Sequence, residues 1–198
     1  MKIIKSIMKN KEFLKLKKIR ENNSRHLNQY VFDHSIAVMK AMQKSLSSFK
    51  NQKWLKQKIG KYSRGDLLII SSLLHDNAKS RIFREYKDKT TRSPSHELLG
   101  AYLFDKYLKG SDFSKKDLDF IKHIIYYHGF AFDAIREAIL HPKNRKMILK
   151  KFYQITKPYS KELVLMMMAD STGSDFKRMN PAGFKEEIEF CRRLIKNI

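Results

Sequence analysis

Apolar residues recur along this chain at three- and four-residue spacing, and valine-rich alternating runs are absent. That period predicts helices. Residues 2–20 read as one basic amphipathic helix that offers Ile3, Ile4, Ile7, Phe13, Leu14 and Leu16 for burial. A second helix is expected from Leu27 to Ser47, and a third from an Asp66 N-cap to about Asp76. Residues 79–93 read as a basic loop. Ser93-Pro94 is expected to open a fourth helix, since proline is tolerated in a first turn, and Gly110 to close it. Ser114 and Asp117 have capping-box spacing for a fifth helix, with Gly129 as its stop. One or two helices fill 130–156. Ser160 opens the run KELVLMMMAD, which Gly173 ends, and Asn180-Pro181 starts a last helix to about Lys196. The expected fold is all-α, with a basic N-terminal helix over 1–25 and a helical bundle over 26–198.

A chain of 198 residues with 42% apolar content can bury a core of its own. No apolar run approaches the roughly 18–20 residues of a bilayer span, so no transmembrane segment is expected. MKIIKSIMKN alternates charge with apolar side chains, unlike a secretory signal. Cys191 is the only cysteine, which excludes an internal disulfide and a cysteine-built zinc module. A cytoplasmic setting fits. Charge adds a partner class: 42 Lys and Arg against 20 acids give +22. Codon bias accounts for lysine over arginine but not for the shortage of acids. Such a field attracts polyanions, that is, a nucleotide, RNA or DNA.

Helical wheels bring chemistry into the picture. His34 lies within the stripe Leu27, Val31, Val38 and Ala41. The apolar run LLIISSLL delivers His75-Asp76. His96 shares a face with Leu99, Leu103 and Tyr107, beside Gly100. His128 continues Leu118, Ile121 and Ile125, and Asp170 follows Leu163, Met166 and Met167. A single polar residue on an apolar stripe is ordinarily a hydrogen-bonded core side chain. Five stripes each carrying one is a different matter. Two buried aspartates need a common neutraliser, and a divalent metal pair supplies it. His123 falls about 140° from His128 on the wheel, with Lys116, Asp119 and Tyr127, and is assigned to solvent. His26 and His141 are expected at the surface; Asp33 and Asp175 rank behind Asp170.

The ordered set His34, LLHDNAK with His75-Asp76, SHELLGA with His96, IIYYHG with His128, and MAD with Asp170 resembles the HD-domain metal-dependent phosphohydrolase superfamily. The resemblance spans roughly residues 26–175. HELLGA narrows it towards the HD domains of CCA-adding tRNA nucleotidyltransferases and the HD-type dinucleoside tetraphosphate hydrolases. Asn77-Ala78 stand where the family often has Ile or Leu and then Gly. The resemblance implies that His34, His75, Asp76 and Asp170 hold one metal, and that Asp76 bridges to a second held by His96 and His128. This mixed imidazole and carboxylate set suits Mn, Fe, Co, Ni or Zn, or Mg if one site fills. It further implies attack by a metal-bound hydroxide, with Asp76 and Lys79 as catalytic residues.

Lys79, Arg81, Arg84 and Arg92 are the expected substrate-phosphate contacts. Segment 141–161 has seven basic residues and no acid, and Tyr126, Tyr127, Phe130 and Phe132 beside His128 could stack on a base. The expected activity is hydrolysis of a phosphoester or phosphoanhydride in a nucleotide or RNA end. The alternative is a nucleic-acid-binding protein with a structural or degenerate metal site.

Overall fold

The computed structural model describes residues 2–49 and 51–197. The all-α expectation holds, with two small two-stranded hairpins added. Residues 2–20 are not one helix. The chain forms α1 (Lys2–Lys9) and α2 (Lys11–Leu14), then a 3-10 turn over Lys15–Lys18. The break comes at Asn10, whose extended backbone lets its side chain accept from the Glu12 amide at 2.9 Å and start a new helix. Ile7, Phe13 and Leu16 are fully buried in the common core.

β1 (Arg20–Asn22) and β2 (Leu27–Tyr30) follow as an antiparallel hairpin. The expected start of the second helix at Leu27 is thereby corrected. α3 runs Val31–Ser48, and Leu27 is a strand residue, 48% exposed. After α4 (Lys53–Lys56), α5 spans Arg64–Leu74. Its N-cap is Ser63 rather than Asp66. The Ser63 hydroxyl accepts from the Asp66 amide, and Asp66 sits inside the first turn.

The loop expected over 79–93 is largely ordered as α6 (Lys79–Ile82) and a hairpin of β3 (Arg84–Glu85) with β4 (Thr91–Arg92). Pro94 precedes α7 (His96–Leu103) instead of opening it, because Ser95 takes a left-handed conformation at φ 61°. The Ser114–Asp117 capping box is present at the start of α8, which runs Lys115–Leu140 straight through Gly129. Gly129 serves packing, not termination: a Cβ there would run into Glu97 of α7. α9 (Arg145–Thr156), α10 (Ser160–Gly173), α11 (Phe176–Met179) and α12 (Pro181–Asn197) complete the chain.

The core is a bundle of α3, α5, α8 and α10. α10 is its axis, buried without a break from Glu162 to Ala169, which is why its sequence lacks an amphipathic period. α10 crosses α3 closely at Gly173. A Cβ there would lie 2.6 Å from Val38 Cγ2 and 2.7 Å from Val38 N. This close crossing sets the end of α10 beside the first turns of α3, and so beside His34. Among the described residues, no helix is long and apolar enough to cross a membrane.

Candidate metal centre

All six residues singled out on the apolar stripes converge. His34 comes from α3, His75 and Asp76 follow the end of α5, His96 begins α7, His128 lies within α8, and Asp170 is near the end of α10. Asp76 is central. His34 Nε2 is 3.6 Å and His75 Nε2 3.2 Å from its Oδ2, while His96 Nε2 is 3.1 Å and His128 Nε2 3.9 Å from its Oδ1. Asp170 Oδ1 lies 2.9 Å from His34 Nε2 and 3.8 Å from His75 Nε2. All of them but the buried His75 border a cavity of about 210 Å³ that Glu21, Arg25, His26, Lys79, Glu97 and Phe132 also line.

One local device aims three of the rings. The Nδ1 atoms of His75, His96 and His128 donate to the carbonyls of Ser72, Ser93 and Ile125, each three residues earlier, at 2.9, 2.9 and 2.7 Å. His34 Nδ1 donates to Gly173 O at 3.4 Å. A carbonyl only accepts, so Nδ1 carries a proton and Nε2 is the nitrogen left for a metal.

The outcome is unsatisfied unless a cation is present. His96 Nε2 and His128 Nε2 stand 3.2 Å apart as two facing acceptors. Asp76 Oδ1 and His75 Nε2 are buried with no hydrogen-bond partner, and Asp76 Oδ2 has the Lys79 ammonium beside it at 2.9 Å. Donor atoms that share an ion at 2.0–2.2 Å lie about 3.0–3.5 Å apart, close to the separations seen. His34–His75–Asp170 and His75–Asp76–His128 each bring three ligand atoms within 4.8 Å of one another. The residues present therefore fit divalent metal.

The electrostatics agree. Burial works against ionisation of Asp76, but a protonated His75 and then Lys79 outweigh it and hold the carboxyl well below its usual range; Asp76 in turn raises His75, so a metal would have to displace the proton on that ring. Burial is likewise overcome at Asp170 by His34, which lowers that carboxyl too. Burial pushes His128 down to about 4, with His75 and His96 adding to the effect, so its ring stays neutral and able to ligate.

The phosphate-binding expectations divide. Lys79 Nζ is buried between Asp76 Oδ2 at 2.9 Å and both oxygens of Glu21, also at 2.9 Å. Arg81 is not in the cavity lining and pairs with Glu12 at 2.9 Å. Arg84 and Arg92 face each other across the β3–β4 hairpin, exposed and outside the lining. Of the aromatic cluster, Phe132 lines the cavity; Tyr126 is 43% exposed, and Tyr127 and Phe130 pack on the core.

Two histidine assignments are corrected. His26 is not a surface residue. It is 7% exposed, its ring lies edge-on to His34 with centroids 4.6 Å apart, and it lines the cavity. His123 does not face solvent either. α9 and Tyr159 cover it, its Nε2 donates to Thr156 O at 3.1 Å, and its ring packs on Tyr127 and Tyr159. His141 is exposed as expected.

Glu21, Arg25, His26 and Glu97 were missed. Glu97 carries the one local signal, adjacent to His96 in SHELLGA, and with His96 and His128 it forms a further group able to hold a metal. Glu21 and His26 precede α3 in a segment with no apolar stripe, so periodicity is silent about them.

A comparison with curated proteins gives no significant match. A comparison with family models matches the HD domain over residues 31–174, a span that holds all six converging residues. With that match covering most of its length, the chain belongs to the HD domain family, whose members are generally metal-dependent hydrolases.

Proposed function

We propose that this protein is a metal-dependent phosphohydrolase that cleaves a phosphoester or phosphoanhydride bond in a nucleotide or at an RNA end. One observation carries the reading. Four imidazole Nε2 atoms and two carboxylates from five helical elements converge beside one open cavity, and Asp76 Oδ1 and His75 Nε2 are buried there without a hydrogen-bond partner. His34, His75, Asp76 and Asp170 would hold one divalent ion, and Asp76, His96 and His128 a second. Mn, Fe, Co, Ni or Zn suits this donor set. Such a pair supplies Lewis acidity and lowers the pKa of water towards neutral.

The chain's own residues do the rest. The Nδ1–carbonyl bonds fix each ring's tautomer and direction before substrate arrives. Lys79 brings a buried positive charge to the cavity edge, where a phosphate oxygen would gain most from it. Phe132, backed by the Arg25 guanidinium at 4.5 Å from its ring centroid, offers a flat face for a base. The exposed Arg84 and Arg92 are suited to further phosphates, because their hairpin joins β1 through Thr91 and Asn22, next to Glu21. The net charge of +22 steers polyanions to the whole surface.

The test is a hydrolysis screen of the Mn²⁺-loaded protein on a chromogenic phosphoester, 2′,3′-cyclic nucleotides, dinucleoside polyphosphates and short RNAs. Turnover of at least one nucleotide or RNA substrate is expected, abolished by chelation and by Asp76→Ala. Binding of RNA with no turnover of any substrate would contradict the reading and favour a binding protein.

A further inference from the structure

Glu21, Lys79 and Asp76 form a row of three buried charges, exposed by only 4%, 7% and 1%. We propose that Glu21 is a positioning residue for the metal centre: it holds the Lys79 ammonium so that Asp76 is left free for cations. This rests on the metal-centre reading above.

Lys79 opens α6 three residues after Asp76, so its Nζ folds back to 2.9 Å from Asp76 Oδ2. A buried ammonium requires a counter-charge. Left with Asp76 alone, Lys79 would neutralise the one carboxylate that all four histidines approach and would compete with any divalent ion there. Glu21 prevents this by accepting from the same Nζ with both oxygens, each at 2.9 Å. Two acceptors on one side outbid one on the other. When cations occupy Asp76 and repel Lys79, the ammonium keeps a buried partner and stays at the cavity edge.

Glu21 can do this because its own strand is fixed on both sides. The Asn22 amide donates to Thr91 Oγ1 at 2.8 Å and its side chain to Lys89 O at 3.0 Å. Across the hairpin, the Leu27 amide donates to Asp175 Oδ2 at 2.8 Å. The hairpin is also tied to a metal-facing ring. Gln29 Nε2 donates to Gly173 O at 2.8 Å, the carbonyl that also accepts from His34 Nδ1. Gln29 Oε1 then accepts from His26 Nδ1 at 2.7 Å, and His26 Nε2 lies 3.7 Å from Glu21 Oε2. Glu21, His26 and Gln29 themselves lie before residue 31, where the family match begins.

Titration calorimetry with Mn²⁺ on the metal-free parent, Glu21→Gln, Lys79→Met and the double variant tests the proposal, with circular dichroism to verify folding. Glu21→Gln is expected to bind Mn²⁺ about tenfold more weakly, in the range for residues that support metal ligands. Lys79→Met should bind no more weakly than the parent. In the Lys79→Met background the Glu21→Gln loss should shrink to about twofold, because the ammonium that Glu21 restrains is gone. Glu21→Asp, which keeps the charge, should retain most of the affinity and covers the case in which Glu21→Gln does not fold. Parent-like Mn²⁺ binding by Glu21→Gln, or an equal loss in both backgrounds, would overturn the proposal while leaving the metal centre intact. A parent that binds no Mn²⁺ would overturn both.

Discussion

At the scale of single residues, each metal-facing histidine has one ring nitrogen committed to a backbone carbonyl and the other turned to the aspartates and histidines of the cluster. That division separates them from His123, whose Nε2 is used by Thr156 O and whose ring is packed between tyrosines. His123→Ala should therefore leave metal binding and hydrolysis intact but cost about 1–2 kcal/mol of stability, through the lost hydrogen bond to Thr156 O and the lost ring packing on Tyr127 and Tyr159. Burial holds the His123 ring below its ordinary 6.5. The unfolded chain then takes up the proton first, so the ring's contribution is full above about pH 6.5 and declines as pH falls below it. Denaturant unfolding of parent and variant at pH 8 and pH 5.5 checks this, and a gap that widens at the lower pH would contradict it. The six ligand candidates were legible because a polar residue on an apolar stripe is a local pattern. Glu21 and His26 were not, because Glu21 is buried against Lys79, distant in sequence, and His26 reaches His34 only through the turn of the β1–β2 hairpin.

At the scale of elements, glycine was the misleading signal. Gly129 reads as a helix stop, yet α8 passes through it, and among the described glycines positive φ occurs only at Gly110. The missing Cβ makes room for Glu97 across the α7–α8 contact, and a one-dimensional pattern cannot separate the two uses. In an exposed helix, Gly→Ala gains about 1 kcal/mol. Here the added methyl meets the end of the flexible Glu97 side chain, so Gly129→Ala should keep less than that gain because Glu97 has to move aside. The double variant with Glu97→Ala should recover the helix gain. A Gly129→Ala gain equal to that in the Glu97→Ala background would contradict this account of α8. The same limit explains Leu27: its spacing continues the α3 stripe, but pairing with β1 holds its backbone extended. Where capping chemistry was complete, at Ser114–Asp117 and at Asn180-Pro181, the boundaries were legible, and α10 starts at Ser160 as expected although no side chain caps it.

At the scale of the whole molecule, the positive charge and the metal centre are separable. α9 and the turn before it present Lys143, Lys146, Lys150 and Lys151 to solvent. Arg145, which the sequence groups with them, is a structural residue: its Nε donates to Ala138 O at 2.8 Å and its guanidinium lies over Phe190. Changing the four lysines to glutamine should weaken binding of a single-stranded oligonucleotide and lower its log–log salt slope by up to about 3. Hydrolysis of a small chromogenic phosphoester should be spared. Unchanged affinity at every salt concentration would make this face a solvated one and move the substrate towards small nucleotides. The charge balance was legible in composition, but the part of it bound up in structure was not, since only the fold pairs Arg145, Arg81 and Lys79. The central claim is that Asp76 lies between two sets of metal-facing groups. Its most direct test is Mn²⁺ stoichiometry on the metal-free parent and on Asp76→Ala, with helicity followed by circular dichroism. The account predicts two ions per chain in the parent and loss of both in the helical variant; an Asp76→Ala protein that still takes up stoichiometric Mn²⁺ would contradict it.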